Sequence, residues 1–386
     1  MSILDTTAMS RTFTLRGAPG VDLLVLIVVC IILAVGIVMV TSASYIIALG
    51  KFGDGFYYAK KQALAVVIGL GVMYLFSMIR LSFWGRVAGP LMGLGLVLLL
   101  LVFVPGLGVE MGGSHRWIRL PFGFSVQPSE FAKFAMIVFL AHSLAKKGDA
   151  LRDFAVGFLP HILVIGTVAF LVHLQPDFGS AVIVTVVGLL MLFVAGVRLR
   201  HLLTCAIAAV PFLVYIAFRA PYRVARWQNF MDPWADPLHG GFQVIQSLVA
   251  FGCGGAWGVG IGNRMQKLYY IPQPHSDFIF AVVGEELGLF GVLLLMGLFY
   301  VLISRGLVIS IKTQDRFQRL LAFGITALIG LQAMINMGVA MGLLPTKGLP
   351  LPLVSLGGTS LIINLAGLGI LLAVARSCES EEEGKP

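Results

Sequence analysis

The chain has 386 residues, of which 58% are hydrophobic and only 12% are charged, and its mean hydropathy is +0.96. A water-soluble fold cannot cover so much apolar surface, so the composition excludes a soluble protein and indicates a polytopic membrane protein. The formal net charge of +9 comes mostly from basic residues in short loops, and no nucleic-acid-binding pattern accompanies it.

Apolar segments long enough to cross a bilayer recur along the whole chain. A transmembrane helix needs about 20 mostly apolar residues. Ten segments approach or exceed this length, at 22–43, 62–79, 87–105, 130–145, 155–174, 178–196, 201–219, 277–304, 318–343 and 352–375. We therefore predict an all-α fold of about ten transmembrane helices. The first segment is too long for the core of a signal peptide, so we expect a retained helix.

Basic residues in alternate loops predict how these helices are oriented. Short cytoplasmic loops are enriched in lysine and arginine. The residues that follow this rule are Arg80, Arg86, Lys146, Lys147, Arg152, Arg198, Arg200, Arg305, Lys312, Arg316 and Arg319. Both termini are then cytoplasmic, and the acidic tail 377–386 is a solvated end. The extracytoplasmic side receives the loops 44–61, 106–129, 220–276 and 344–351.

The loop 106–129 and the helix after it contain charged and aromatic residues close to the membrane edge. Arg116 lies beside Trp117, a pair that suits either an interfacial anchor or a substrate contact. Glu130 and Lys133 are three residues apart, so we expect them to form an ion pair on one helix face. Asp177 precedes the apolar segment 178–196 and is predicted to cap its helix.

The loop 220–276, between predicted helices 7 and 8, mixes aromatic, glycine and cationic residues without linker-like tracts. We expect a folded extracytoplasmic loop. Its segment Phe242–Phe251 has apolar residues at helical spacing, with Gln243, Gln246 and Ser247 on the other face, which predicts a short interfacial helix. The glycines after it lack P-loop or dinucleotide-binding spacing, so we expect no nucleotide and no other organic cofactor.

Asp277 is the most informative single residue, because it places a carboxylate at the start of an apolar helix. Partial burial and charged neighbours can tune such a group. Glu285 and Glu286 follow on the same helix, and ionisable residues at membrane depth are candidates for function. None of the acid clusters has enough ligands for a dedicated metal site.

Several ordered motifs resemble the SEDS family of cell-wall glycosyltransferases. The motifs are RWI at 116–118, QPSEFAK at 127–133, QPDFGSA at 175–181, DPWADP at 232–237, GNRMQKLYYIPQPHSDFIFAVVGEELG at 262–288 and NMGVAMGLLPTKGLPLPLVSLGGTS at 336–360. The resemblance covers nearly the whole chain, as a single membrane domain over 1–386. The segments around Tyr269 and Lys347 are more similar to the division branch of the family than to its elongation branch. Gln273, Ser276 and Leu356 depart from the usual residues.

The resemblance implies an enzyme that polymerises lipid II into glycan strands by inverting transfer, with undecaprenyl pyrophosphate as the leaving group. Asp277 matches the family's essential acid, and it could act as general base or hold a divalent cation such as Mg²⁺ or Mn²⁺. The residues expected to bind substrate are Arg116, Trp117, Glu130, Lys133, Arg223, Arg226, Gln266, His275, Ser276, Lys347 and Ser355. The resemblance also implies the cytoplasmic (inner) membrane at the division septum, a class B penicillin-binding protein as partner, and other division proteins.

Two other classes of function stay open at this point. A lipid II flippase would require polar groups through the whole bilayer depth, whereas here they concentrate in the outer half, apart from Glu285 and Glu286. A non-catalytic scaffold that assembles division proteins would not need Asp277 at all.

Overall fold

The computed structural model describes residues 22–111, 114–119, 125–219, 221–263 and 277–383. In these ranges the chain is mostly helical. The helices are α1 (Leu23–Phe52), α2 (Tyr57–Met78), α3 (Leu81–Leu101), α4 (Pro128–Lys147), α5 (Leu159–Leu174), α6 (Phe178–Val194), α7 (Leu199–Arg219), α8 (Pro221–Met231), α9 (Phe242–Gly254), α10 (Ile279–Lys312), α11 (Arg316–Ala340) and α12 (Gly358–Glu383). The last helix runs through most of the acidic tail.

The predicted all-α membrane fold is confirmed, since each of the ten predicted segments contains a helix. Within the described ranges, seven helices are long and apolar enough to cross a bilayer: α1, α2, α3, α10, α11, α12 and the stretch Phe154–Leu174 that ends with α5. Of the three other predicted spans, α6 is short, with 17 residues, and α7 has 21 residues with Pro211 inside the helix. The third, α4, is less apolar than the seven long helices, because it contains four charged residues.

Helices α11 and α12 form the centre of the bundle. They are the most buried of the long apolar helices, with 72% and 78% of their apolar windows inside the protein. Helix α12 packs against α2, and α11 packs against α10, α4 and α6. Because α11 contacts helices from both halves of the chain, the ends of α11 position loops that are distant in sequence.

Contacts between helix ends define two opposite ends of the bundle. At the first, which we call the basic end, Arg305 pairs with Asp22 at 2.7 Å and Arg316 donates to the Ala195 carbonyl at 2.7 Å. At the second, the Asp277 end, Asn336 donates to the Asp277 carbonyl at 2.9 Å. The partners at each end come from loops or span ends that the basic-residue pattern placed on one side of the membrane, so the contacts agree with that alternation.

A small antiparallel sheet, which the sequence pattern did not reveal, lies between α3 and α4. Its strands are β1 (Gly108–Met111), β2 (Ser114–Arg119) and β3 (Ser125–Val126), in the order β1-β2-β3. In this sheet Trp117 pairs with Val109, and Ile118 pairs with Val126. The strands are too short to give a clear alternating pattern, so only their paired hydrogen bonds reveal them.

Helix α9 confirms the predicted short helix, but its surroundings differ from the prediction. It packs against α10 and α11. Ser247, expected on the polar face, is fully buried and donates to the Ala340 carbonyl at 2.5 Å. The expectation for Ser247 was wrong, because its hydroxyl satisfies a backbone carbonyl at the end of α11 and thereby fixes α9 to the bundle.

Helix α10 is broken at Gly288, where φ is 64° and ψ is −163°. The segment after α9 replaces lost helical hydrogen bonds: Leu289 N–H donates to the Gly255 carbonyl at 2.9 Å, and Gly260 N–H donates to the Glu286 carbonyl at 3.1 Å. A Cβ added to Gly288 would clash with the Gly258 nitrogen. Only glycine permits both this backbone conformation and this close approach.

The break predicts different responses at two glycines of α10. Gly288→Ala should lower the stability by about 1–3 kcal/mol or more, because the backbone strain adds to the clash. Gly297→Ala is the matched control, since a methyl group added there would meet no atom within 4 Å. Thermal unfolding of both variants in detergent tests this. Equal midpoints for the two variants would contradict the assigned role of Gly288.

Candidate functional site

Asp277 lies half-buried at the start of α10, at the Asp277 end of the bundle. Its backbone carbonyl accepts a hydrogen bond from Asn336 Nδ2 at 2.9 Å. Its carboxylate lies against the backbone of the loop that joins α11 to α12, since a Cβ added to Gly348 would be 3.2 Å from Asp277 Oδ2. The structure therefore places this acid beside the residue that follows Lys347.

The loop between α11 and α12 is held in place from two sides. Asn336 Nδ2 also donates to the Leu349 carbonyl at 2.7 Å, and the Leu349 N–H donates to the Lys347 carbonyl at 2.9 Å. The Leu349 side chain packs on Gly179, where an added Cβ would lie 2.9 Å from Leu349 Cγ. The loop thus lies between the start of α10 and the N-terminus of α6.

Lys347 presents a partly buried ammonium group beside an aromatic ring. Its Nζ lies 5.2 Å from the centroid of Phe178, the first residue of α6. Burial lowers the pKa of Lys347 from its ordinary value. Lys347 makes no ion pair in the described part of the chain. An anion beside this group would favour the charged ammonium and raise the pKa again.

The N-terminus of α6 brings a second cation near Lys347. Asp177 Oδ1 accepts from the Ser180 N–H at 3.1 Å, which confirms the predicted helix cap. Arg116 on β2 lies with Nη1 3.9 Å from Asp177 Oδ1, and about a quarter of its side chain is exposed. Gln127 Nε2 donates to Asp177 Oδ2 at 3.3 Å. Arg116 therefore lies beside Asp177, and Lys347 lies beside the next residue, Phe178.

A third cation comes from the large loop. Arg226 on α8 is exposed, and its Nη1 lies 3.5 Å from the Thr346 carbonyl, next to Lys347. Arg223 lies on the same helix, three residues earlier, but its side chain is outside the described part of the structure. Gln266, His275 and Ser276 also fall outside it, so their expected roles stay predictions.

The remaining predicted residues have structural contacts. Glu130 and Lys133 form the expected ion pair at 2.7 Å, with only 3% and 1% of their side chains exposed. Trp117 is partly buried in β2. Ser355 is buried, and its Oγ accepts from the Leu351 N–H at 2.8 Å. The structure thus brings Asp277, Lys347, Arg116 and Arg226 to one end, whereas the Glu130–Lys133 pair is closed to solvent.

Two residues of this end, Asn336 and Phe178, were not predicted from the sequence. Asn336 was visible as a polar residue near the end of an apolar helix, which is a signal worth testing in a membrane protein. Phe178 had no comparable signal, because its contact with Lys347 joins segments 169 residues apart by their numbering.

A dedicated metal cage does not fit this set of residues. Among the described residues, no three His, Cys, Asp or Glu side chains lie close enough together to hold a metal ion. Proteins often bind Mg²⁺ through one or two carboxylates together with substrate phosphates. A cation held by Asp277 would therefore need further ligands from a substrate or from residues outside the described ranges.

Comparison with known proteins gives a consistent relationship over almost the full chain. A family model described as a cell cycle protein, covering FtsW, RodA and SpoVE, matches residues 22–380. A probable peptidoglycan glycosyltransferase FtsW of Geobacter metallireducens is 45% identical over 354 residues, covering 92% of this chain and 94% of that protein. Stage V sporulation protein E of Bacillus subtilis is 41% identical over 355 residues, covering 92% and 97%.

Solved structures show the same similarity. A chain in a peptidoglycan synthase complex, studied for its structural coordination of polymerization and crosslinking, aligns with a TM-score of 0.78 at 32% identity, covering 93% of this chain and 98% of that one. The rod shape determining protein RodA of Thermus thermophilus aligns with a TM-score of 0.69 at 30% identity, covering 92% and 97%. The relatives named FtsW agree with the predicted resemblance to the division branch. By motif order, sequence identity and fold, this chain belongs to the FtsW, RodA and SpoVE family of cell cycle proteins.

Proposed function

We propose that this chain is a peptidoglycan glycosyltransferase that polymerises lipid II into glycan strands for the division septum. The observation that carries the proposal is the arrangement at the Asp277 end. There one carboxylate lies against the loop that contains Lys347, and Arg116 and Arg226 lie next to the same loop and helix start. The names of the curated relatives support the same activity.

The acid has a clear role in such a transfer. The acceptor sugar hydroxyl attacks the anomeric carbon of the donor, a C–O bond forms, and the bond to the lipid pyrophosphate breaks. Asp277 takes the proton of the attacking hydroxyl as general base. Its half-buried position keeps the carboxylate accessible from the extracytoplasmic side while the backbone around it is held. A divalent cation shared with the substrate would add Lewis acidity at the phosphates.

The cations have a separate role, because the leaving pyrophosphate carries several negative charges. The ammonium of Lys347 and the guanidinium groups of Arg116 and Arg226 stabilise that charge as the bond breaks. Phe178 keeps the Lys347 ammonium over an apolar ring rather than next to a carboxylate. The isoprenoid tail of lipid II remains in the bilayer, along the apolar surface of the helices.

A cross-linking partner and a defined membrane orientation fit the same function. The related chain in the peptidoglycan synthase complex is described with both polymerization and crosslinking. We infer that a class B penicillin-binding protein cross-links the strands that this chain makes, within a larger group of division proteins. The basic end of the bundle faces the cytoplasm, so that both termini are cytoplasmic and the Asp277 end faces the cell wall.

Asp277→Asn should reduce glycan polymerisation by about 10²–10⁴-fold, because asparagine keeps the size of the side chain but cannot accept the proton. The amount of folded protein and its binding to the penicillin-binding partner should stay unchanged. Purified protein with labelled lipid II, analysed for strand length on gels, provides the measurement. Normal strands from Asp277→Asn would remove the general-base role.

Lys347→Ala should reduce kcat/KM for lipid II by about 10- to 100-fold, the effect of losing a charged hydrogen bond to a phosphate. Lys60→Ala is the matched control, because this lysine lies at the same end but is 72% exposed and pairs with Asp54. The two variants are compared in the same polymerisation assay. Equal kcat/KM values for them would show that Lys347 does not contact the substrate.

Single changes of Arg116, Arg223 and Arg226 to Gln should each slow the reaction, and rising ionic strength should weaken substrate capture by the wild type. Arg86→Gln is the control, since Arg86 lies near the basic end. Turnover of the four variants is measured against salt concentration. If all four match the wild type at every salt concentration, the arginines do not bind the pyrophosphate.

A further inference from the structure

Asn336 makes an unusual pair of contacts near the end of α11. It is 2% exposed, and its Nδ2 donates to two backbone carbonyls, that of Asp277 at 2.9 Å and that of Leu349 at 2.7 Å. The first acceptor is 59 residues from Asn336 in sequence, and the second is 13 residues away. One amide group thus joins three separate segments of the chain.

Both acceptors lie outside regular secondary structure. Asp277 precedes α10, which begins at Ile279, and Leu349 lies in the loop between α11 and α12. The Leu349 carbonyl is buried and that of Asp277 is partly buried, so each needs a donor from elsewhere in the protein. The orientation of the amide is also determined, since only its nitrogen can donate to a carbonyl. Asn336 Oδ1 makes no hydrogen bond to the described residues.

The two contacts fix the start of α10 relative to the loop of Lys347. Leu349 is tied to the Lys347 carbonyl through its own N–H at 2.9 Å. Gly348, between them, is the residue whose added Cβ would lie 3.2 Å from Asp277 Oδ2. A shift of either carbonyl away from Asn336 would therefore change the position of the carboxylate relative to the ammonium.

We propose that Asn336 is a positioning residue for glycosyl transfer. Through the carbonyls of Asp277 and Leu349 it holds the Asp277 carboxylate at a fixed position relative to the loop of Lys347. The inference rests on the proposed function, because it assigns Asn336 to the same site. Asn336 acts on Asp277 and on the loop and does not itself touch the reacting atoms. Misplacement of a reacting group by about 1 Å can cost about 100-fold in rate.

Asn336→Leu is the first test, because leucine has a similar size but no donor. Asn364→Leu is the matched control: Asn364 is also a buried asparagine, 3% exposed, but its Nδ2 donates to the Ser360 carbonyl of its own helix at 2.8 Å. For both variants, kcat, KM, the pH–rate profile and thermal unfolding are measured on purified protein with labelled lipid II.

We expect kcat of Asn336→Leu to fall by about 100-fold per folded molecule, with a smaller change in KM and a displaced pH–rate profile. Asn364→Leu should keep the wild-type kcat and profile. A purely structural role would reduce the folded fraction and leave the profile of the remaining activity unchanged. That result, or wild-type kcat in Asn336→Leu, would overturn the inference.

Asn336→Asp provides a second variant if Asn336→Leu does not fold. An aspartic acid has nearly the same shape as asparagine, but at any pH it can donate to at most one of the two carbonyls. Its kcat should therefore fall and its pH–rate profile should shift, and wild-type values for both would overturn the inference.

Asp277→Asn, measured in the same series, distinguishes failure of the positioning role of Asn336 from failure of the proposed function. If the wild type polymerises, Asp277→Asn does not, and the Asn336 variants are normal, only the positioning role is overturned. If the wild type makes no polymer, the proposed function and the positioning role are both overturned.

Discussion

Backbone carbonyls that leave helical hydrogen bonding inside an apolar bundle need donors, and this constraint shapes the Asp277 end of the protein. Irregular backbone at membrane depth is tolerated only where protein or water satisfies it. Here Asn336 donates to the carbonyls of Asp277 and Leu349, and Ser247 donates to that of Ala340. These side chains supply the donors that the start of α10 and the loop between α11 and α12 require. The two segments can therefore lie together, and they place functional groups where a continuous helix could not.

A similar constraint applies to the described charged side chains of the predicted site, which are either paired inside the bundle or accessible at the Asp277 end. Glu130 and Lys133 are closed to solvent and form an ion pair with one another on α4. Asp277 and Lys347 lie where the chain leaves its helices, and Arg226 is exposed on α8, so water or a substrate can reach all three. Because Asp177 caps α6 and also lies near Arg116, the helix start holds a guanidinium beside the Lys347 loop. A polymerase needs this combination of one base and several cations at one face.

The sequence predicted features that depend on local pattern. Apolar length revealed the helices, the three-residue spacing revealed the Glu130–Lys133 pair, and the position of Asp177 revealed its cap. The motifs led to Asp277 and Lys347. The sheet β1-β2-β3, the break at Gly288 and the contacts of Asn336 were not predictable, because each depends on backbone groups distant from it or on pairing of very short segments.

The main proposal is that this chain itself builds glycan strands. The most direct measurement is the product formed from labelled lipid II by the purified wild-type chain, in vesicles free of any other glycosyltransferase and with its penicillin-binding partner present. We expect polymer of many disaccharide units, with release of lipid pyrophosphate in proportion. Lipid II that moves between leaflets but stays unpolymerised would contradict the proposal.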